Sequence, residues 1–133
     1  VMPYRHLLVV LAYVVATLAA QGTSHFALNA EHYASVGFFR PDPIVAFGIT
    51  SMIIQGGVCA YLYPRLVGDG STMLRALTFA WTIGAILVSY IAIALAGEYR
   101  IPSVSGWMVV EGTAGIAQFT IFGILLGLIY RRG

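Results

Sequence analysis

The sequence predicts an all-α integral membrane protein, a bundle of four transmembrane helices with both termini in the cytoplasm. Apolar residues make up 59% of the chain and charged residues 9%, whereas about 25% of the residues of a soluble domain are charged. The mean hydropathy is +0.88. A chain of 133 residues has room for about four apolar helices of roughly 20 residues with short loops. We therefore expect one transmembrane domain over residues 1–133.

The first helix is predicted over residues 4–33. Its apolar part runs from Tyr4 to Leu28, which is longer than the apolar region of about 7–15 residues in a signal peptide. No small-residue cleavage site follows it, so we expect this segment to remain as a helix.

The second helix is predicted over residues 43–65. It follows the sequence Pro-Asp-Pro at positions 41–43, where the two prolines interrupt a helix, and it ends in AYLYPR at positions 60–65. Tyrosine and arginine side chains anchor helix ends at a membrane–water interface. The segment therefore has the pattern of a complete span.

The third and fourth helices are predicted over residues 72–98 and 106–131. A polar turn at positions 67–71 precedes the third helix, and Ser71 is its predicted N-cap because a serine hydroxyl accepts a hydrogen bond from a free backbone N–H. The segment IPSVSG at positions 101–106 separates the two helices. Arg131 and Arg132 end the fourth.

The arginines near the helix ends predict the orientation. Five lie at one end of the predicted bundle and two at the other: Arg5, Arg65, Arg75, Arg131 and Arg132 against Arg40 and Arg100. Since loops rich in basic residues stay in the cytoplasm, both termini are predicted inside and the loop from Glu31 to Pro41 outside. The net charge of +2, with no further basic patch, predicts no nucleic-acid partner.

Small residues repeat every four positions on three of the helices. Close packing of small residues holds helices together in lipid, so these positions are predicted contacts: Ala12, Ala16 and Ala20 on the first helix, Ala80 and Gly84 on the third, and Gly123 and Gly127 on the fourth. The single cysteine, Cys59, is predicted to be a small buried packing residue.

Polar residues also recur at helical spacing within the apolar segments. A charge near the bilayer centre costs roughly 2.5–3.5 kcal/mol, so we expect the polar stripe of each helix to face the others. On the third helix the stripe is Thr78, Thr82 and Ser89. The candidate functional residues are His25, Glu111, Gln21, Gln55, Gln118, Glu31 and His32.

His25 and Glu111 are the ionisable pair of this set. Both are predicted about one turn below the outer interface, and each needs a partner to offset its desolvation. We predict that His25 faces the bundle interior and meets Glu111 directly or through one water, either as a structural pair or as part of a functional site. Gln55 and Gln118 are predicted to form interhelical hydrogen bonds.

Histidine and carboxylate residues at the outer end raise the alternative of a metal site, since they suit zinc, copper or iron. The set is His25, Glu31, His32, Glu98 and Glu111. However, His25 and His32 are two helical turns apart, roughly 10 Å, and the di-iron pattern Glu-x-x-His is absent. Only His25 lies at a depth suited to haem ligation. We therefore predict no metal and no other cofactor.

Four segments resemble a group of small uncharacterised four-helix proteins of the bacterial inner membrane, of the domain-of-unknown-function type. They are SHFALNAEHY, AYLYPR, VSYIAIA and IPSVSGWMVVEGTAGIAQFTIFGILLGLIYRR. The resemblance implies a multi-pass protein of that membrane and carries no activity, substrate or catalytic residue with it.

Three hypotheses of function follow. No nucleophile, phosphate-loop or metalloprotease motif occurs, which favours a non-catalytic accessory or helper subunit that packs against a larger membrane complex or self-associates. The first alternative is a small oligomeric transporter or channel whose polar path is lined by Glu111, Gln118, Gln55 and His25. The second is a membrane enzyme or metal-binding protein that uses the outer His/Glu cluster. Membrane lipids and a membrane-protein partner or second copy are the expected partners.

Overall fold

The computed structural model describes residues 3–68 and 71–131, and this part of the chain is helical without a β-strand. Its helices are α1 (Pro3–Thr23), α2 (Ala30–Val36), α3 (Val45–Leu66), α4 (Met73–Ser89), α5 (Leu95–Glu98) and α6 (Val104–Ile129). Two π-helical turns, Ser24–Leu28 and Tyr90–Ala94, continue α1 and α4.

Four helical stretches are long and apolar enough to cross a membrane. We call them the first to fourth spans: Tyr4–Leu28, Val45–Leu66, Met73–Glu98 and Val104–Ile129. The predicted all-α class with four such helices is confirmed. Three residues of the sequence-based predictions, Asp69 and Gly70 of the polar turn and the terminal Arg132, lie outside the described residues.

Asn29 interrupts the first predicted helix, which the sequence pattern extends to residue 33. Its backbone, at φ −128° and ψ 26°, leaves the helical region. The backbone N–H of Asn29 donates to the carbonyl of Ser24 at 2.8 Å, and its side-chain amide donates to the Ser24 hydroxyl at 2.9 Å. Asparagine offers the backbone this alternative to a helix. The chain restarts as α2, and Gly37, with a left-handed φ of 85°, caps the C-terminal end of that helix.

Thr72, and not the predicted Ser71, is the N-cap of α4. The Thr72 hydroxyl accepts a hydrogen bond from the backbone N–H of Arg75 at 3.2 Å. The hydroxyl of Ser71 is occupied by Tyr63, whose phenol donates to it at 2.6 Å. The N-cap prediction was therefore wrong by one residue, because a tertiary contact takes the serine.

The helices pack in the spatial order second, first, fourth and third span. α1 packs against α3 and α6, and α6 packs against α4. The predicted small residues are buried where the spans meet: a Cβ built on Gly123 lies 3.1 Å from Cβ of Ala80, and one on Gly84 lies 2.6 Å from Cγ of Phe119. Cys59 is buried as predicted. Small residues therefore set the close approach of these helices.

The two ends of the bundle are packed differently. At the end away from α2, the Tyr63 ring meets Phe79 edge-on with ring centroids 5.1 Å apart and lies 4.7 Å from Tyr130. These rings join the second span to the third and fourth. Towards the other end, the α2 end, side chains of all four spans line a cavity.

Candidate functional site: a polar cavity among the four spans

The polar cavity has a volume of about 300 Å³ and is bounded by side chains of all four spans. Five of the seven predicted residues line it, namely His25, Glu111, Gln21, Gln55 and Gln118. Thr17 and Ser51 add hydroxyl groups. A volume of this size is at the lower end of the range of small-molecule sites, about 300–1,000 Å³.

Gln118 links the fourth span to the first. Its carbonyl oxygen accepts a hydrogen bond from Nε2 of Gln21 at 3.0 Å. Its own Nε2 donates to the hydroxyl of Thr17 at 3.0 Å, and that hydroxyl donates to the backbone carbonyl of Tyr13 at 2.8 Å. The predicted interhelical role of Gln118 is confirmed.

Gln55 links the second span to the first through a residue that the sequence analysis missed. The phenol of Tyr13 donates to the side-chain carbonyl of Gln55, whose Nε2 donates to the Ser51 hydroxyl at 3.0 Å. The Tyr13 ring is only 1% exposed. Tyr13 precedes Thr17 by four residues, so it lies on the polar face of the first span. That spacing was the available signal.

Glu111 is held by α2. It is 7% exposed, and its Oε1 accepts a hydrogen bond from the phenol of Tyr33 at 2.6 Å. Tyr33 also stacks on His25, with ring centroids 3.7 Å apart and an interplanar angle of 14°. Burial is the main cause that raises the pKa of Tyr33 well above its ordinary value, and the hydrogen bond to Glu111 raises it further. The phenol is therefore a neutral donor.

His25 and Glu111 do not make the predicted direct contact, because Tyr33 interacts with both of them. Within residues 3–68 and 71–131, no hydrogen bond or ion pair joins the two, because the Tyr33 ring covers one and its hydroxyl reaches the other. Both residues nevertheless line the polar cavity, so His25 faces inward as predicted. A contact through one water stays a prediction.

Glu31 and His32 lie outside the polar cavity. Glu31 is exposed on α2. His32 packs edge-on against Tyr33, with ring centroids 5.2 Å apart, and also lies against Trp107. Its Nε2 is buried without a hydrogen-bond partner among the described residues. In the same part of the chain, no group of three or more His, Cys, Asp or Glu side chains is arranged to hold a metal ion.

The polar stripe of the third span does not converge with the stripes of the other helices on the polar cavity, so this prediction was wrong. Thr78, Thr82 and Ser89 are exposed, and each hydroxyl donates to a backbone carbonyl of its own helix. Hydroxyl groups that bond in this way need no partner on another helix. The third span instead contributes an apolar wall to the polar cavity, Leu87, Val88 and Ile91.

A second cavity, the aromatic groove, lies at the α2 end. It has a volume of about 840 Å³ and is lined by Phe26, Phe38, Phe39, Phe47, Arg40 and neighbouring residues of α2 and the following loop. His25 lines both this groove and the polar cavity. The stack of His25 and Tyr33 therefore lies between the two.

The chemistry available in the polar cavity is hydrogen bonding around one carboxyl group. Among the described residues that line it, Glu111 and His25 are the titratable side chains, and no arginine or lysine is present. Arg40 lines the aromatic groove and not the polar cavity. Comparison with family models, with curated proteins and with solved structures finds no match to this chain.

Proposed function

We propose that this chain is a multi-pass protein of the bacterial inner membrane, with both termini in the cytoplasm and the α2 end outside. Four apolar spans support the membrane location, and the five-to-two arginine split supports the orientation. Many large apolar side chains are exposed along the spans, including Leu18, Ile54 and Ile116 at 50–64%. Such an apolar surface is favourable in contact with lipid and promotes aggregation in water.

Cysteine labelling tests the orientation. Ser35 and Arg131 are exposed at opposite ends of the bundle, and the native Cys59 is buried at 1% exposure. In a Cys59→Ala background, we expect Ser35→Cys to react with a membrane-impermeant thiol reagent in intact cells and Arg131→Cys to react only after lysis. The reverse pattern would overturn the orientation.

We propose further that the protein binds a small polar solute in the polar cavity, as a small transporter does. The observation that carries the proposal is the convergence of five predicted polar residues from three spans on one cavity. Ionisable residues inside membrane spans are rare and mark substrate or ion pathways by default. The hydrogen-bonded amides hold the cavity walls in a defined arrangement, which lowers the cost of ordering a bound solute.

A cavity-filling variant tests this binding role. Gly48 lines the polar cavity, and a Cβ built there meets nothing within 4 Å, as is also true of Gly57 on the same helix. Gly57 does not line the cavity. We expect small amides, amines or carboxylates to stabilise the purified protein against heat, and Gly48→Leu to abolish this stabilisation while Gly57→Leu keeps it. A panel without effect, or an equal response of both variants, would refute the proposal.

A helper subunit is the second candidate, favoured by the loose packing of the second span. Only 17% of the most apolar 18-residue stretch of the second span is buried, against 44% of the corresponding stretch of the fourth span. A second copy or another membrane protein is the occupant to test for on this face. In a Cys59→Ala background, Ile54→Cys, 61% exposed on the second span, should cross-link to another chain in native membranes, whereas Ile116→Cys, 64% exposed on the fourth, should not. Equal cross-linking would remove this candidate.

A further inference from the structure

We infer that the polar cavity selects small protonated amines, with the carboxylate of Glu111 as their counter-charge. The inference rests on the proposed binding of a polar solute in this cavity and names the class of that solute. It follows from the charges that face the cavity, from its free hydrogen-bond acceptors and from its size.

The charges disfavour an anion. Glu111 and His25 are the titratable groups among the described lining residues. Of the two arginines at this end of the bundle, Arg40 lines the aromatic groove on the other side of the His25–Tyr33 stack, and Arg100 lines a separate groove beside Phe38. A carboxylate solute would therefore face the carboxylate of Glu111 without an arginine or lysine to offset it. A buried charge is tolerated when it is paired, and a cation beside Glu111 meets that condition for both partners.

Free acceptors suit an ammonium group, which carries three donors and no acceptor. The carbonyl oxygens of Gln55 and Gln118 each accept one hydrogen bond, from Tyr13 and from Gln21. Each keeps a second lone pair. Tyr33 bonds one carboxyl oxygen of Glu111 within the described residues, which leaves the other for the solute. Three acceptors on two spans therefore surround the same space.

The apolar wall of the cavity suits the carbon chain of an amine. It is formed by the side chains Met52, Leu87, Val88, Ile91 and Phe119. An ammonium with a short alkyl chain places its charge at Glu111 and its methylene groups on this wall, where removal from water is favourable. A metal cation gains nothing from such a wall, and the volume of about 300 Å³ restricts the solute to small compounds.

Titration calorimetry on the full chain in lipid nanodiscs tests the inference with three probes of similar size: n-butylammonium, butyramide and butyrate. We expect n-butylammonium to bind most tightly. Glu111→Gln should weaken it by about 10- to 100-fold, the loss expected for one charge-assisted hydrogen bond, and should weaken the binding of butyramide by a smaller factor. The matched control is Glu98→Gln, which neutralises an exposed carboxylate at the same end of the bundle and should leave all three affinities unchanged.

The outcomes separate the solute class from the binding role. Tighter binding of butyramide or butyrate than of n-butylammonium would overturn the amine class and leave a polar-solute site standing. Binding of n-butylammonium that Glu111→Gln does not weaken would overturn the role of Glu111. If none of the three probes binds, both the inference and the proposed binding role fall. Should Glu111→Gln not fold, the order of the three affinities in the unmodified protein decides the class.

Discussion

Replacing Tyr33 with phenylalanine removes one hydroxyl group from the α2 end of the bundle and leaves the ring in place. The hydroxyl donates to Glu111 Oε1 at 2.6 Å, and the ring stacks on His25 at 3.7 Å. Since phenylalanine retains the stack, Tyr33→Phe removes only what the hydroxyl contributes, namely its hydrogen bond to the Glu111 carboxyl group and its interaction with Ser24. We expect the variant to fold and to be less stable.

The magnitude follows from the surroundings of the bond. A hydrogen bond to a charged group is worth about 1.5–3 kcal/mol, whereas polar contacts between membrane helices average about 0.6 kcal/mol and reach about 1.7 kcal/mol. Tyr33 and Glu111 are 8% and 7% exposed, which favours a strong bond, but Glu111 lines a cavity in which water can replace the phenol. We therefore expect Tyr33→Phe to lower the free energy of unfolding by about 1.5 kcal/mol.

The assay is reversible unfolding in mixed micelles, followed by circular dichroism, as a double-mutant cycle. In a Glu111→Ala background, Tyr33→Phe should change the free energy of unfolding by no more than about 0.5 kcal/mol, because its acceptor is already gone. Tyr99→Phe is the control, since Tyr99 is 51% exposed and surface changes stay within about 0.5 kcal/mol. A loss no larger than that of Tyr99→Phe, or an equal loss in the Glu111→Ala background, would refute the reasoning.

Two further predictions concern the packing of the fourth span and use the same unfolding assay. Gly123→Ala should lower the free energy of unfolding by about 1–3 kcal/mol, because its Cβ would lie 3.0 Å from the backbone Cα of Leu77. A Cβ at Gly112 meets nothing within 4 Å, so Gly112→Ala should raise the free energy of unfolding by about 0.5–1 kcal/mol. Similar effects of the two variants would contradict the packing argument. Gln118→Leu removes two hydrogen bonds to the first span and should lower the free energy of unfolding by about 1 kcal/mol. An unchanged free energy of unfolding would mean that these bonds contribute nothing to stability.

Local properties explain the features that sequence analysis predicted well. Four apolar stretches, separated by prolines and polar turns, are enough to predict four long helices, because each helix satisfies its own backbone hydrogen bonds. Glycine and alanine at four-residue spacing mark close contacts because they lie on one face of the helix and their small side chains let another helix approach. The polar residues of the first, second and fourth spans converge on one cavity, since an amide or carboxyl group buried in an apolar span is costly unless it finds hydrogen-bond partners.

The sequence did not predict which way the polar residues of the third span face. The stripe of Thr78, Thr82 and Ser89 has the same spacing as the stripes that face inward, but short hydroxyl side chains bond to their own backbone and can remain at the surface. Helical spacing does not distinguish these two outcomes.

The amino-acid sequence by itself determined the helical class, the four apolar spans and the residue types available for a polar site. Only the tertiary structure decided that Glu111 is bonded by Tyr33 and that His25 stacks on the same ring. The physical reason is the break at Asn29: where a chain leaves the helix, spacing along the sequence no longer predicts which side chains meet. The position of α2, and with it the partner of the buried carboxyl group, is then set by packing against the fourth span.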